Sequence, residues 1–173
     1  ASLDVGYGLK RSEAYPVWWS AKSVAIRLPV HVINAGVSVD TTAGVLRRLP
    51  NLLKSPIDVF IVELGINVIF RVVPVSQIEA NLQKIIDLAR ARSPKVRVIV
   101  AGMQLPQTSV EDSLTGFGQM YGEIARRNST ELVPFLLDGV AGNPNLNLPD
   151  MLHPNASGQK ILATNVWPVL ERA

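Results

Sequence analysis

The chain has 173 residues, 47% of them apolar, which is enough for one domain with a substantial core and leaves no need for a second. Seventeen Lys and Arg against fourteen Asp and Glu leave a net charge of +3; with no dense basic run and only 6% aromatics, this composition argues against nucleic-acid binding. The absence of cysteine removes disulfides, thiol nucleophiles and Cys-ligated zinc, and no apolar run reaches the roughly 18 residues that a membrane span needs.

The N-terminal Ala1-Ser2-Leu3-Asp4 carries neither a basic nor an apolar leader region, so the chain as given reads as soluble, and equally as the mature form of an exported protein. Residues 1 to 10 place two glycines around Tyr7 and read as an irregular loop. A helix is expected from Ala14 to Ala25, with Pro16 in its first turn and Trp18 and Trp19 as packing residues. Pro29 breaks the pattern, and Val30-His31-Val32-Ile33 reads as a first strand ending at Asn34-Ala35-Gly36. His31 has no catalytic or metal partner nearby and reads as structural.

Asp40 and Thr41 are N-cap candidates for a helix over Thr42 to Leu53. The nearly continuous apolar run from Val59 to Leu64 is of the kind buried on both faces of a parallel sheet, and it stops at Gly65-Ile66-Asn67. Ile78, Leu82, Ile85, Ile86 and Ala89 fall at helical spacing within Ser76 to Arg92. Val96 to Ala101 is the next strand, Ser113 to Arg127 a helix, Leu132 to Leu136 a strand, and Ile161 to Arg172 a closing helix. Alternating strands and helices predict one α/β domain over residues 1–173 with a parallel sheet flanked by helices. Ligands of such sheets bind beyond the carboxyl ends of the strands, where Asn34 to Gly36, Gly65 to Asn67 and Gly102 to Gln104 all fall.

The stretch most charged with chemistry is Asp150-Met151-Leu152-His153-Pro154-Asn155. A carboxylate three positions before an imidazole can bond one ring nitrogen and leave the other to take a proton from a hydroxyl. Without cysteine, the hydroxyl must belong to Ser or Thr.

Ser2-Leu3 with Gly6-Tyr7-Gly8-Leu9, then Asn34-Ala35-Gly36, then Gly65-Ile66-Asn67, then Asp150-x-x-His153-Pro154-Asn155 form four ordered blocks. In these the chain resembles the SGNH (GDSL) hydrolases, in particular their bacterial arylesterase and thioesterase/lysophospholipase branch, over nearly its whole length. The resemblance implies a flavodoxin-like three-layer α/β/α sandwich with a parallel sheet. It implies Ser2 as nucleophile, His153 as general base and then acid, and Asp150 as the group orienting His153. The backbone N–H groups of Ser2 and Gly36 and the side-chain amide of Asn67 would form the oxyanion hole. The implied reaction is hydrolysis of small-molecule esters or thioesters of short to medium acyl chains, with no metal or organic cofactor, in a periplasmic or secreted protein. The alternative is a degenerate member of the fold that binds an ester or carbohydrate without turnover.

Several positions differ from the family pattern. Only Ala1 precedes Ser2, where the family has an apolar strand and a Gly-Asp pair, so the first central strand is expected to be missing from the chain as given. Asp4 stands where Thr is usual and places a carboxylate near the nucleophile. Val39 replaces a glycine and is expected to strain its loop or narrow the pocket. Val68 replaces an aspartate beside Asn67 and removes a hydrogen-bonding support. Asp112-Ser113-Leu114-Thr115 spells a rival nucleophile block, although the acidic residues before Ser113 read as a helix N-terminus.

Overall fold

The structure, a computed structural model, describes residues 1–27, 30–65, 67, 73–105 and 116–173. They form two compact units, Ala1–Val39 with Leu136–Glu171, and Asp40–Phe135 with Arg172–Ala173.

The second unit is built on a parallel sheet of β1 (Val59–Val62), β2 (Arg97–Ala101) and β3 (Glu131–Val133), in that spatial order. Val59 lies opposite Arg97, and Ile99 opposite Glu131. β2 is central, and Val98, Ile99, Val100 and Ala101 are all buried, which is why its sequence is a continuous apolar run rather than an alternating one. The helices of this unit are α3 (Thr42–Leu52), α4 (Val75–Arg92) and α5 (Phe117–Asn128). Thr41 caps α3 by accepting from the Gly44 N–H, as expected of it, and Asp40 accepts from the Thr41 N–H and pairs with Arg48. α4 buries Ile78, Leu82, Ile85, Ile86 and Ala89, the five apolar positions that its spacing singles out. At the carboxyl end of β1 the chain turns through Gly65 at φ +120°, and the buried Tyr121 of α5 donates its phenol proton to the Leu64 carbonyl at 2.9 Å. A Cβ on Gly65 would stand 2.2 Å from that phenol oxygen, so the position needs glycine on both counts.

The first unit is helical, with α1 (Ser2–Val5), a single 3-10 turn (Arg11–Glu13), α2 (Tyr15–Ala25) and α6 (Ala156–Leu170). α2 packs on α6, where the Trp19 indole N–H donates to the Ala163 carbonyl and the Tyr15 N–H to the side-chain oxygen of buried Gln159. Gln159 also donates to the Leu3 carbonyl, tying α1 to the same core. Trp19 is buried, whereas Trp18 carries the Lys160 ammonium 4.9 Å from its ring centroid. Both indoles therefore pack, as their place in the sequence predicts.

Two local expectations are corrected. Residues 1–10 are not wholly irregular, since Ser2–Val5 form a helical turn closed by Gly6 at φ +67°. Val30 to Ile33 form no strand, with Val30 36% and Ile33 68% exposed and His31 exposed between them. No strand pairs with this segment among the described residues, so its β-branched side chains have no ladder to join.

Candidate active site

Ser2, Asp150 and His153 come together within the first unit. Ser2 opens α1, so its backbone N–H lies in the first turn, where no intrahelical acceptor exists. Its hydroxyl oxygen is 3.2 Å from Nε2 of His153. On the other side of the ring, Nδ1 is 2.8 Å from Oδ2 of Asp150. A carboxylate only accepts, so this contact places the imidazole proton on Nδ1 and leaves Nε2 free to accept from the serine.

The turn that carries Asp150 and His153 is itself held by the carboxylate. Oδ1 of Asp150 accepts from the backbone N–H of Leu152 at 2.9 Å and of His153 at 3.0 Å. The hydrogen bonds from the His153 backbone and ring, and from the Leu152 backbone, hold the Asp150 carboxyl at about 2, below its usual 3.8. Between the two, Met151 sits at φ +59°. Asn155 then caps α6, accepting from the Ser157 and Gly158 N–H groups, and its amide donates to the Asn145 carbonyl. Leu148 N–H donates to the His153 carbonyl at 2.7 Å, so the loop before the motif and the motif itself are one hydrogen-bonded unit.

Gly36 lies in the same unit as Ser2. Its N–H donates to the side-chain oxygen of Asn34 at 3.0 Å, and the Asn34 amide donates to the Asp4 carbonyl, which links the Gly36 loop to α1. A Cβ on Gly36 would approach Asp4 Cβ to 2.6 Å, which explains the glycine without any appeal to unusual dihedrals. Asn67 belongs to the second unit, where its side-chain amide donates to the Asp40 carbonyl at 3.1 Å.

Of the positions that depart from the family pattern, Asp4 has its carboxylate hydrogen-bonded to a neighbouring tyrosine. Its carboxylate accepts from the Tyr15 hydroxyl at 2.5 Å. Val39 sits at φ +53° and is 66% exposed, so the strain expected of it is present while its side chain is largely in solvent. Val68 and Ser113 lie outside the described residues.

Sequence reasoning missed Tyr7, whose ring stacks on His153, and Asn34, which holds the Gly36 N–H. Their placement in the Gly-Tyr-Gly and Asn-Ala-Gly blocks was the available signal. Among the described residues no group of three or more His, Cys, Asp or Glu is arranged to hold a metal, and no helix is long and apolar enough to cross a membrane.

Residues 2–161 match the model of the GDSL-like lipase/acylhydrolase family. The esterase TesA of Pseudomonas aeruginosa is 34% identical over 98% of this chain and 84% of its own length. An arylesterase of Vibrio mimicus is 30% identical over 94% of this chain and 80% of its own. A crystal structure of TesA superposes with a TM-score of 0.92 at 33% identity, covering 99% of this chain and 94% of the other. The ordered blocks, the fold and these likenesses agree: the chain belongs to the GDSL-like lipase/acylhydrolase family, the SGNH hydrolases, and has their α/β fold.

Proposed function

We propose that this chain is a carboxylic ester hydrolase that cleaves small esters or thioesters of short to medium acyl chains through an acyl-enzyme on Ser2. The observation that carries the reading is the continuous relay from Ser2 Oγ through both nitrogens of His153 to Asp150. Nε2 of His153 removes the serine proton as Oγ attacks the acyl carbon, and the resulting imidazolium is held by the Asp150 carboxylate. The same Nε2–H then protonates the departing alcohol or thiol. Water repeats the sequence in reverse order of proton transfer and releases the acid.

The developing alkoxide takes donors from the Ser2 N–H and the Gly36 N–H, and the family resemblance assigns the Asn67 side-chain amide the same role. For Gly36 the alkoxide competes with Asn34 Oδ1, the present acceptor of that N–H. Loss of one such donor costs about 3 kcal/mol of transition-state stabilisation. The substrate is a small molecule, and a periplasmic or secreted location fits the class. Burst release of p-nitrophenol from p-nitrophenyl butyrate tests the reading, with the burst equal to one acyl group per chain and abolished in Ser2→Ala. Binding of the ester with no release would leave only a ligand-binding domain.

A further inference from the structure

We propose that Tyr7 is a positioning residue for His153, covering one face of the imidazole and favouring its charged form during each proton transfer; this rests on the hydrolase reading above. The ring centroids are 4.4 Å apart with the planes tilted by 35°, close enough for the π face of the phenol to lie against the imidazole. Tyr7 is 51% exposed, so its ring is not placed there by core packing.

The backbone around it accounts for the placement. Tyr7 N–H donates to the Ser2 carbonyl at 3.1 Å, which closes α1 directly behind the nucleophile. Gly6 at φ +67° and Gly8 at φ +77° fold the chain back on both sides of the tyrosine, conformations that side chains rarely adopt. A Cβ on Gly8 would stand 2.7 Å from the Leu148 side chain, so the turn is also closely packed against the loop that precedes the Asp150–His153 motif. The Gly-Tyr-Gly sequence thus aims one aromatic ring at one imidazole.

Asp150 and Ser2 meet the two ring nitrogens of His153 at its edge, and contacts at the edge leave the ring free to twist about the line that joins them. An aromatic face on one side limits the twist and keeps Nε2 directed at Ser2. It also discriminates between protonation states. The ring quadrupole attracts a cation and is nearly indifferent to a neutral imidazole, so the contact is strongest in the imidazolium states that flank each acyl-transfer step. An attraction of this kind at a half-exposed site corresponds to about a 3- to 10-fold effect on rate.

The test compares Tyr7→Phe, Tyr7→Leu and Tyr7→Ala in the full chain with p-nitrophenyl acetate. Phe keeps the ring face and should retain the wild-type kcat, whereas Leu and Ala should each lower kcat about 3- to 10-fold with KM unchanged. The chain has two histidines, so the ring-proton resonance of His153 is assigned with His31→Gln, and it should lose its upfield ring-current shift in Leu and Ala but not in Phe. Full activity in Tyr7→Leu, or a raised KM with unchanged kcat, would overturn the proposal, the latter because the ring would then be touching substrate. A wild-type chain without turnover would remove the hydrolase reading itself, a result distinct from an active enzyme insensitive to Tyr7.

Discussion

Val39 offers a prediction whose sign can be worked from the backbone. At φ +53° its β-branched side chain sits in the left-handed region, which costs an L-residue about 1–2 kcal/mol and costs glycine almost nothing. Its side chain is 66% exposed, so truncation forfeits about a third of the roughly 1.5 kcal/mol that complete burial of a valine provides. Glycine also loosens the unfolded chain, by about 0.5–1 kcal/mol relative to alanine. These terms nearly cancel for Val39→Gly against wild type, which should hold its stability. Against Val39→Ala they do not cancel, because alanine retains much of the left-handed penalty while losing the same contacts. Val39→Gly should therefore be more stable than Val39→Ala by about 0.5–1 kcal/mol, the reverse of the order at an ordinary position. Urea unfolding of both variants measures this as a difference in midpoint at equal slope. An alanine variant more stable than the glycine variant would show that the left-handed backbone at Val39 carries no such penalty.

Three further variants test the site. Gly36→Ala drives a methyl to 2.6 Å from Asp4 Cβ, so the loop must shift; kcat should fall at least 10-fold, and unfolding should detect a loss of about 1–3 kcal/mol. Asp150→Asn should lower kcat by about four orders of magnitude, because an amide at that position no longer fixes the proton on Nδ1. The same variant bears on acid stability. A carboxyl held at about 2 in the folded chain and at 3.8 otherwise adds stability that is present above 3.8 and lost as pH falls towards 2; the wild type should show this small, salt-sensitive loss in acid titrations and Asp150→Asn should not. Asn155→Ala removes the cap of α6 and should cost about 1–2 kcal/mol in thermal or urea unfolding, with activity falling only as far as the His153 turn loosens.

The parts of the chain that follow a strong period were legible in the sequence. α4 and β2 are set by apolar spacing and by burial on both sides, and both lie within a residue or two of where the pattern puts them. The Thr41 cap was legible because hydroxyl capping acts within four residues. The start of α6 was missed by five residues, since Ala156-Ser157-Gly158 has no apolar period and only the Asn155 cap marks it. The helical turn at Ser2–Val5 was missed for a related reason. It is too short to show a period, and it is closed by Gly6 and by Gln159, a residue far along the chain that donates to the Leu3 carbonyl. Val30 to Ile33 failed in the opposite sense: strand propensity measures fitness for a paired, half-buried surface, and that segment has no paired neighbour among the described residues. The relay of Asp150 and His153 was readable as a local turn, but its closure onto Ser2, 151 positions away, rested on the order of the sequence blocks. Asn34 bonds Gly36 two residues on, a local contact of the kind asparagine makes in turns, whereas the Tyr7 contact with His153 spans the whole chain and no local spacing encodes it.

Hydrolysis by this chain requires Ser2 to be the nucleophile that His153 activates. Treatment of the folded chain with a fluorophosphonate, followed by intact-mass measurement and peptide mapping, tests it most directly. One adduct per chain is expected, on Ser2, formed slowly in Asp150→Asn and not at all in His153→Ala. An adduct on Ser113, or none on a folded chain, would contradict it.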